Sequence, residues 1–284
     1  MGVIAAGIAP HPPIILPEVG RGEQEKAGKT VEAMHIFARR LAEVNGDTLV
    51  IITPHGPMFR NAVAILAENR LQGDFSGFLA PQVQLQADND LELVRAIAAE
   101  SSKAGVETVL LGGEGVEIGE KLDLDHGVTV PLYYLQKAGT GNRCVAITYA
   151  LLPYRELYNF GRSIKKAAEG LQRRIVVVAS SDLSHRLIRG APAGFHPRAK
   201  EFDRLLVNYL ENYQVEKILT MDGELIQAAG ECGLRSIAVL LGCLDGEAVQ
   251  PELLSYEGPF GVGYAVALLT PQRKEGGYSD GKNS

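Results

Sequence analysis

Four of the six histidines in this 284-residue chain stand where an apolar run stops or where Gly and Pro flank a short segment. His11 lies in Ala9-Pro10-His11-Pro12-Pro13, just past the run Val3–Ala9. His55 lies in Thr53-Pro54-His55-Gly56-Pro57, just past Thr48–Thr53. His126 sits in Leu124-Asp125-His126-Gly127, and His185 closes Ser180-Ser181-Asp182-Leu183-Ser184-His185. Imidazole near neutral pH either ligates a metal or moves a proton. A lone strand-end His is more often a hydrogen-bonded loop residue; two in matching Pro-His-Pro and Pro-His-Gly settings argue for a shared ion. Pro stiffens the loop that presents each ring, and Gly lets the chain turn tightly beside it. His11 and His55 are therefore the expected metal ligands. His35, in mid-helix, and His196, before Pro197, read as structural.

A third ligand is expected from the segment Gly230-Glu231-Cys232-Gly233. Glu231 is either an ordinary helix-start carboxylate, favoured there by the helix dipole, or the acidic ligand. Cys232 competes with it. Adjacent helical residues point about 100° apart, so one ion takes one of the two. Gly230 and Gly233 permit close approach by either side chain, so the local sequence leaves the two open. Asp182 is either a turn residue, an orienting partner of His185, or a contact for a substrate hydroxyl.

The elements that must position these groups alternate along the chain. Strands are expected at Val3–Ala9, Thr48–Thr53, Asn61–Leu66, Val109–Leu111, Val145–Ile147, Ile175–Ala179 and Val262–Leu269. Helices are expected at Glu25–Val44, Leu91–Ala104, Tyr154–Leu171, Pro197–Leu210 and Glu231–Leu241. The alternation implies βαβ units: a single α/β domain over residues 1–271, its mostly parallel central sheet flanked by helices. In such sheets ligands bind beyond the carboxyl ends of strands, so the histidines after separate strands converge on one crevice. Gln272–Ser284, polar and Gly-rich, reads as a disordered tail.

Composition narrows the function classes. A net charge of −6 and the lack of a basic, aromatic-interleaved cluster argue against nucleic acid. No apolar run is long enough to span a bilayer. Three Cys without a CxxC pair fit a reducing compartment, so a cytoplasmic location is expected. There is no Walker A motif, Leu111-Gly112-Gly113-Glu114-Gly115 lacks dinucleotide-loop spacing, and no GxSxG elbow occurs.

Taken in order, Pro-His-Pro-Pro at 10–13, Pro-Glu-Val-Gly at 17–20, Thr-Pro-His-Gly at 53–56, Leu-Asp-His-Gly at 124–127, Ser-Asp-Leu-Ser-His at 181–185, Glu-Cys-Gly-Leu-Arg-Ser at 231–236 and Ser-Tyr-Glu-Gly-Pro-Phe-Gly-Val-Gly-Tyr at 255–264 resemble the class III (LigB-type) extradiol ring-cleavage dioxygenase superfamily. Within it the chain looks closest to the Memo/AMMECR1-associated group, with no AMMECR1-type domain expected after it. The resemblance implies a LigB-like fold. It implies Fe(II), with Zn or Cu as possible substitutes, held by His11, His55 and Glu231. It makes His185 the acid–base group, and His126 a catalytic and substrate-contacting group beside Asp182. The substrate would be a small aromatic diol cleaved with dioxygen by a homo-oligomeric, dimeric enzyme. Two other readings stay open. One is a Memo-like metal-binding protein without ring cleavage, whose third ligand in that group is a Cys. The other is a metal-dependent hydrolase.

Overall fold

The structure, a computed structural model, describes residues 1–113, 115 and 122–272. Of the expected tail Gln272–Ser284, Gln272 is described and donates its N–H to Ala248 O at 2.7 Å, while residues 273–284 and most of the Gly-rich stretch after Leu111 lie outside the described residues. The strands are β1 (Gly2–Ala9), β2 (Thr48–Thr53), β3 (Val63–Leu66), β4 (Arg70–Phe75), β5 (Ala80–Asn89), β6 (Thr108–Leu111), β7 (Arg143–Thr148), β8 (Arg174–Ser180), β9 (Val249–Glu257) and β10 (Tyr264–Pro271). The helices are α1 (Pro17–Gly20), α2 (Gly28–Glu43), α3 (Leu91–Lys103), α4 (His126–Lys137), α5 (Tyr154–Gly170), α6 (Ala199–Glu211), α7 (Val215–Leu219), α8 (Gly223–Ala229) and α9 (Leu234–Cys243).

Among the described residues the strands form one mixed sheet in the order β4-β5-β7-β2-β8-β1-β10-β9, with β3 paired to β6 and β7. Its centre, β7-β2-β8-β1, is parallel throughout. Antiparallel pairs β4-β5 and β1-β10-β9 extend it on either side. The central strands are buried on both faces, and their residues alternate between two cores. Val50 and Ile52 of β2, with Ile175, Val177 and Ala179 of β8, meet α3, α5 and α9. Leu49 and Ile51, with Val176 and Val178, meet α2 and α4. Two-sided burial is why these strands read as continuous apolar runs. Each fully buried Leu, Ile, Val or Phe contributes about 1.5–3 kcal/mol of transfer free energy, so much of the stabilising burial sits in this centre.

The structure differs from the sequence expectation in several places. The β4-β5 hairpin and β9 were not expected, because their sequences are rich in Gln, Glu, Pro and Gly and poor in β-branched residues. α4 was not expected either: Gly127, Val128, Thr129, Val130 and Pro131 are all weak helix formers. The last helix starts at Leu234, not at Glu231, so residues 231 and 232 lie in the turn between α8 and α9. The helix expected from Glu25 begins as a 3-10 stretch, Glu23–Ala27, and becomes α-helical at Gly28. No helix among the described residues is long and apolar enough to cross a membrane. Because β10 runs antiparallel to β1, Met1–Ile4 and Pro271–Gln272 border one surface depression at the amino edge of the parallel strands.

Candidate metal centre

Four parallel strands stop at one edge of the sheet, and the loops beyond that edge build the site. The exits of β1 and β8 are tied together. Ser181 N donates to Ala9 O at 2.8 Å, and His11 N donates to Asp182 Oδ1 at 2.9 Å. His11, only 1% exposed, turns Nδ1 to Ser180 Oγ at 2.8 Å and Nε2 into the crevice. His55, at the exit of β2, approaches it so that the two Nε2 atoms lie 3.0 Å apart, with the rings nearly perpendicular at 87°. Cys232, in the turn between α8 and α9, brings Sγ to 3.5 Å from His11 Nε2. One donor atom from each of the three lies within 4.8 Å of the others. Ligands sharing an ion at about 2.1 Å (N) and 2.3 Å (S) keep mutual separations of roughly 3–4 Å. The 3.0 Å and 3.5 Å separations about His11 Nε2 lie in that range, and the three donors together form a candidate site for one ion.

Glu231 is not in this group. Its Oε2 accepts from Leu234 N at 2.6 Å, which satisfies an otherwise unpaired amide at the start of α9. The structure thus brings His11 and His55 together with Cys232 and directs Glu231 elsewhere. The reason is the late start of α9. Gly230 takes a left-handed conformation (φ 61°) to end α8, and the two residues after it point to opposite uses. The turn is docked on the exit of β8 from several sides. Ser184 Oγ and His185 N both donate to Ala229 O at 3.1 Å, and Ser181 Oγ donates to Gly233 O at 3.2 Å. Tyr149, just past β7, donates its hydroxyl to Cys232 O at 2.9 Å.

His126 is the first residue of α4, whose cap Asp125 accepts from Gly127 N at 2.8 Å and Thr53 Oγ1 at 2.6 Å. Its ring stacks on His55 at 4.2 Å and lies 5.6 Å from His11. Phe78, at the tip of the β4-β5 hairpin, meets the other side of His126 at 5.5 Å. His185 is half-buried, and its Nδ1 makes no well-formed hydrogen bond among the described residues. Asp182 faces His11 at both oxygens, Oδ2 lying 3.7 Å from Nε2. His35 and His196 take no part in this group.

Burial sets the protonation of the cluster. It lowers His11 well below the ordinary imidazole range, helped by the other histidines, and lowers His55 to about 4, with His126 adding to the effect and Asp125 opposing it. His126 is lowered by burial. His185 is lowered by burial too, partly offset by the carbonyls of Gly230 and Leu183. All four rings are neutral at pH 7, the form that offers lone pairs to a cation. Burial, then the charges of Asp182 and Glu231, holds the Cys232 thiol well above its usual range. A coordinated cation reverses that, because a coordinating thiol is deprotonated outright. Burial also raises Asp182 to about 7, against the pull of the His11 amide.

Sequence reasoning passed over Ser180, Tyr149 and Phe78. Ser180 carried one usable signal: as the last residue of the strongest strand, it pairs in parallel register with Ala9, two residues before His11. Tyr149 and Phe78 carried none, because each reaches the site through loop geometry.

Two imidazoles and a thiol beyond the carboxyl edge of a mixed α/β sheet, with His126 stacked on His55, bring three candidate donor atoms to one crevice. The chain belongs to the family described as the catalytic LigB subunit of aromatic ring-opening dioxygenase, whose model matches residues 5–267. It is 41% identical over 263 residues to the Clostridium acetobutylicum protein CA_C1420, covering 92% of this chain and 56% of that protein, so it spans little more than half the length of that relative. It is 26% identical to a MEMO1 family protein of Thermococcus onnurineus, covering 91% of this chain and 81% of the relative. It is 25% identical to the 3,4-dihydroxyphenylacetate 2,3-dioxygenase of Escherichia coli, covering 89% and 93%. The uncharacterized protein JW3007 from Escherichia coli K12 has the same fold, with a TM-score of 0.55 at 15% identity over 94% of this chain and 99% of that one.

Proposed function

We propose that this protein is a Memo-like metal protein of the dioxygenase-like superfamily, its ion held by His11, His55 and Cys232. The observation that carries the reading is the placement of Cys232 Sγ against the paired Nε2 atoms while Glu231 caps α9. A thiolate with two imidazoles suits zinc, copper and iron, and selects against hard cations such as magnesium or calcium. Three protein ligands leave a position open, the usual state of catalytic rather than structural sites. When bound, the ion would supply Lewis acidity and, with iron or copper, one-electron redox chemistry on that open side.

The test is to load anaerobically prepared protein with Fe(II), Cu(I) or Zn(II) and compare Cys232→Ser with Glu231→Gln. Cys232→Ser should lose the ion and Glu231→Gln should keep it. The opposite result would restore the carboxylate as third ligand and overturn this reading.

Ring cleavage of a small aromatic diol with dioxygen is the second reading. It is favoured by the neutral rings of His126 and His185 on the same crevice. One could orient a hydroxyl, and the other, with Nδ1 uncommitted, could take its proton and return it. Its test is a catechol panel with the Fe(II)-loaded protein, which should give a yellow ring-opened product; the Memo-like reading expects none.

A further inference from the structure

α4 carries a proline in its interior, Pro131, at a position where proline ordinarily costs about 3 kcal/mol. The bond it removes is the one that residue 131 would donate to the carbonyl four residues earlier, that of Gly127. Gly127 O is instead bonded by Ser180 Oγ at 2.5 Å. A carbonyl only accepts, so the single Ser180 hydroxyl proton points at Gly127. The other contact of that hydroxyl, His11 Nδ1 at 2.8 Å, must then be a bond in which Ser180 accepts. A neutral imidazole has one N–H and one lone pair, so a proton on Nδ1 leaves the lone pair on Nε2, the atom facing His55 and Cys232.

We infer that Pro131 and Ser180 are positioning residues that fix the tautomer of His11. The proline frees the Gly127 carbonyl, the carbonyl orients the serine hydroxyl, and the hydroxyl holds the proton on Nδ1, leaving Nε2 as the donor to a metal ion. Three elements meet in this chain of contacts: α4, the end of β8 and the loop after β1. The surroundings leave it little room to re-form otherwise. Ser180 is fully buried, and a Cβ added to Gly127 would lie 2.3 Å from Thr53 Oγ1 and 3.3 Å from Ser180 Oγ. The inference rests on the proposal that His11 Nε2 is a ligand, but its first consequence, the tautomer, is read without metal. Outer partners of ligating histidines typically change metal affinity by about 10–100-fold.

The experiment uses the full chain labelled with 15N-histidine, metal-free, and zinc titrations of the same samples. In the wild type, the His11 ring should show a protonated Nδ1 and an unprotonated Nε2. Ser180→Ala removes the acceptor and should give mixed tautomers and zinc affinity lower by about ten-fold or more. Pro131→Ala restores an amide at position 131 that draws the Gly127 carbonyl back into the helix. It should raise thermal stability while shifting the tautomer balance and weakening zinc. Should Pro131→Ala fail to fold, the wild-type tautomer and Ser180→Ala still decide. A wild-type His11 protonated on Nε2, or an unchanged tautomer in Ser180→Ala, overturns the inference, as does an unchanged tautomer in folded Pro131→Ala. A wild type with the expected tautomer but no zinc binding leaves the contact chain standing and refutes the metal reading instead.

Discussion

The two histidines and the cysteine reach the same point by different means. His11 and His55 leave the ends of β1 and β2, strands buried on both faces and hydrogen-bonded on both sides, so their placement follows from the sheet itself. Cys232 leaves a short turn between α8 and α9, and its placement depends on a helix cap, a tyrosine hydroxyl and close backbone approach to the exit of β8. A ligand on a strand end shares the stability of the whole core. A ligand on an inter-helix turn is only as fixed as its few local contacts. Substitutions in the turn should therefore alter metal affinity more than equally mild ones beside the strand-end histidines.

Gly233→Ala should break the comparison most strongly. Its Cβ would lie 2.6 Å from Ser181 Cβ and 2.7 Å from Asp182 O, so the Cys232 turn must move off the strand end. A loss of about 1–3 kcal/mol in denaturant unfolding is expected, as for an overpacked core position. Zinc affinity should fall by at least the about 10–100-fold seen for lost outer partners. If affinity survived intact, the turn would be more adaptable than its contacts imply.

Tyr149→Phe is a milder probe of the same turn. It removes the donor to Cys232 O and should cost about 1 kcal/mol, with a several-fold loss of zinc affinity in isothermal titration.

Asp203 sharpens the comparison from the far side, because it accepts from Ser184 N at 2.9 Å in the 181–185 segment and from Tyr256 Oη of β9 at 2.7 Å. Burial raises its carboxyl from an ordinary 3.8 to about 6. The folded state then binds the proton more tightly than the unfolded state. The stability this group contributes is complete below about 4 and is lost as pH rises through about 6. Unfolding midpoints of the wild type should show that decline as a component that Asp203→Asn removes.

The smallest effect on metal is expected from His185→Gln, which should keep the full stoichiometry of bound ion in elemental analysis. Loss of the ion would make His185 a ligand.

Much of the arrangement was legible in the sequence because two-sided burial leaves unbroken apolar runs, and β1, β2 and β8 show theirs plainly. The convergence of His11, His55 and His185 on one edge followed from those runs and the parallel order they imply. The third member of the cluster was not legible. Choosing between Glu231 and Cys232 depends on where α9 begins, and Gly230 and Gly233 permit either side chain to turn inward. Family resemblance pointed to the carboxylate; only the position of the Leu234 amide explains why the carboxylate faces the helix instead. α4 hid for a related reason. Its β-branched residues and Pro131 are poor helix material, held by Asp125 at the cap and by packing against β2 and β8.

The antiparallel return of β10 along β1 brings both ends of the described chain to the edge of the sheet opposite the crevice. A tag or linker attached beyond either end therefore departs from the side of the sheet opposite the histidines. On the proposed metal reading, a sample immobilised through either end should take up and release metal at the same rate as the free one.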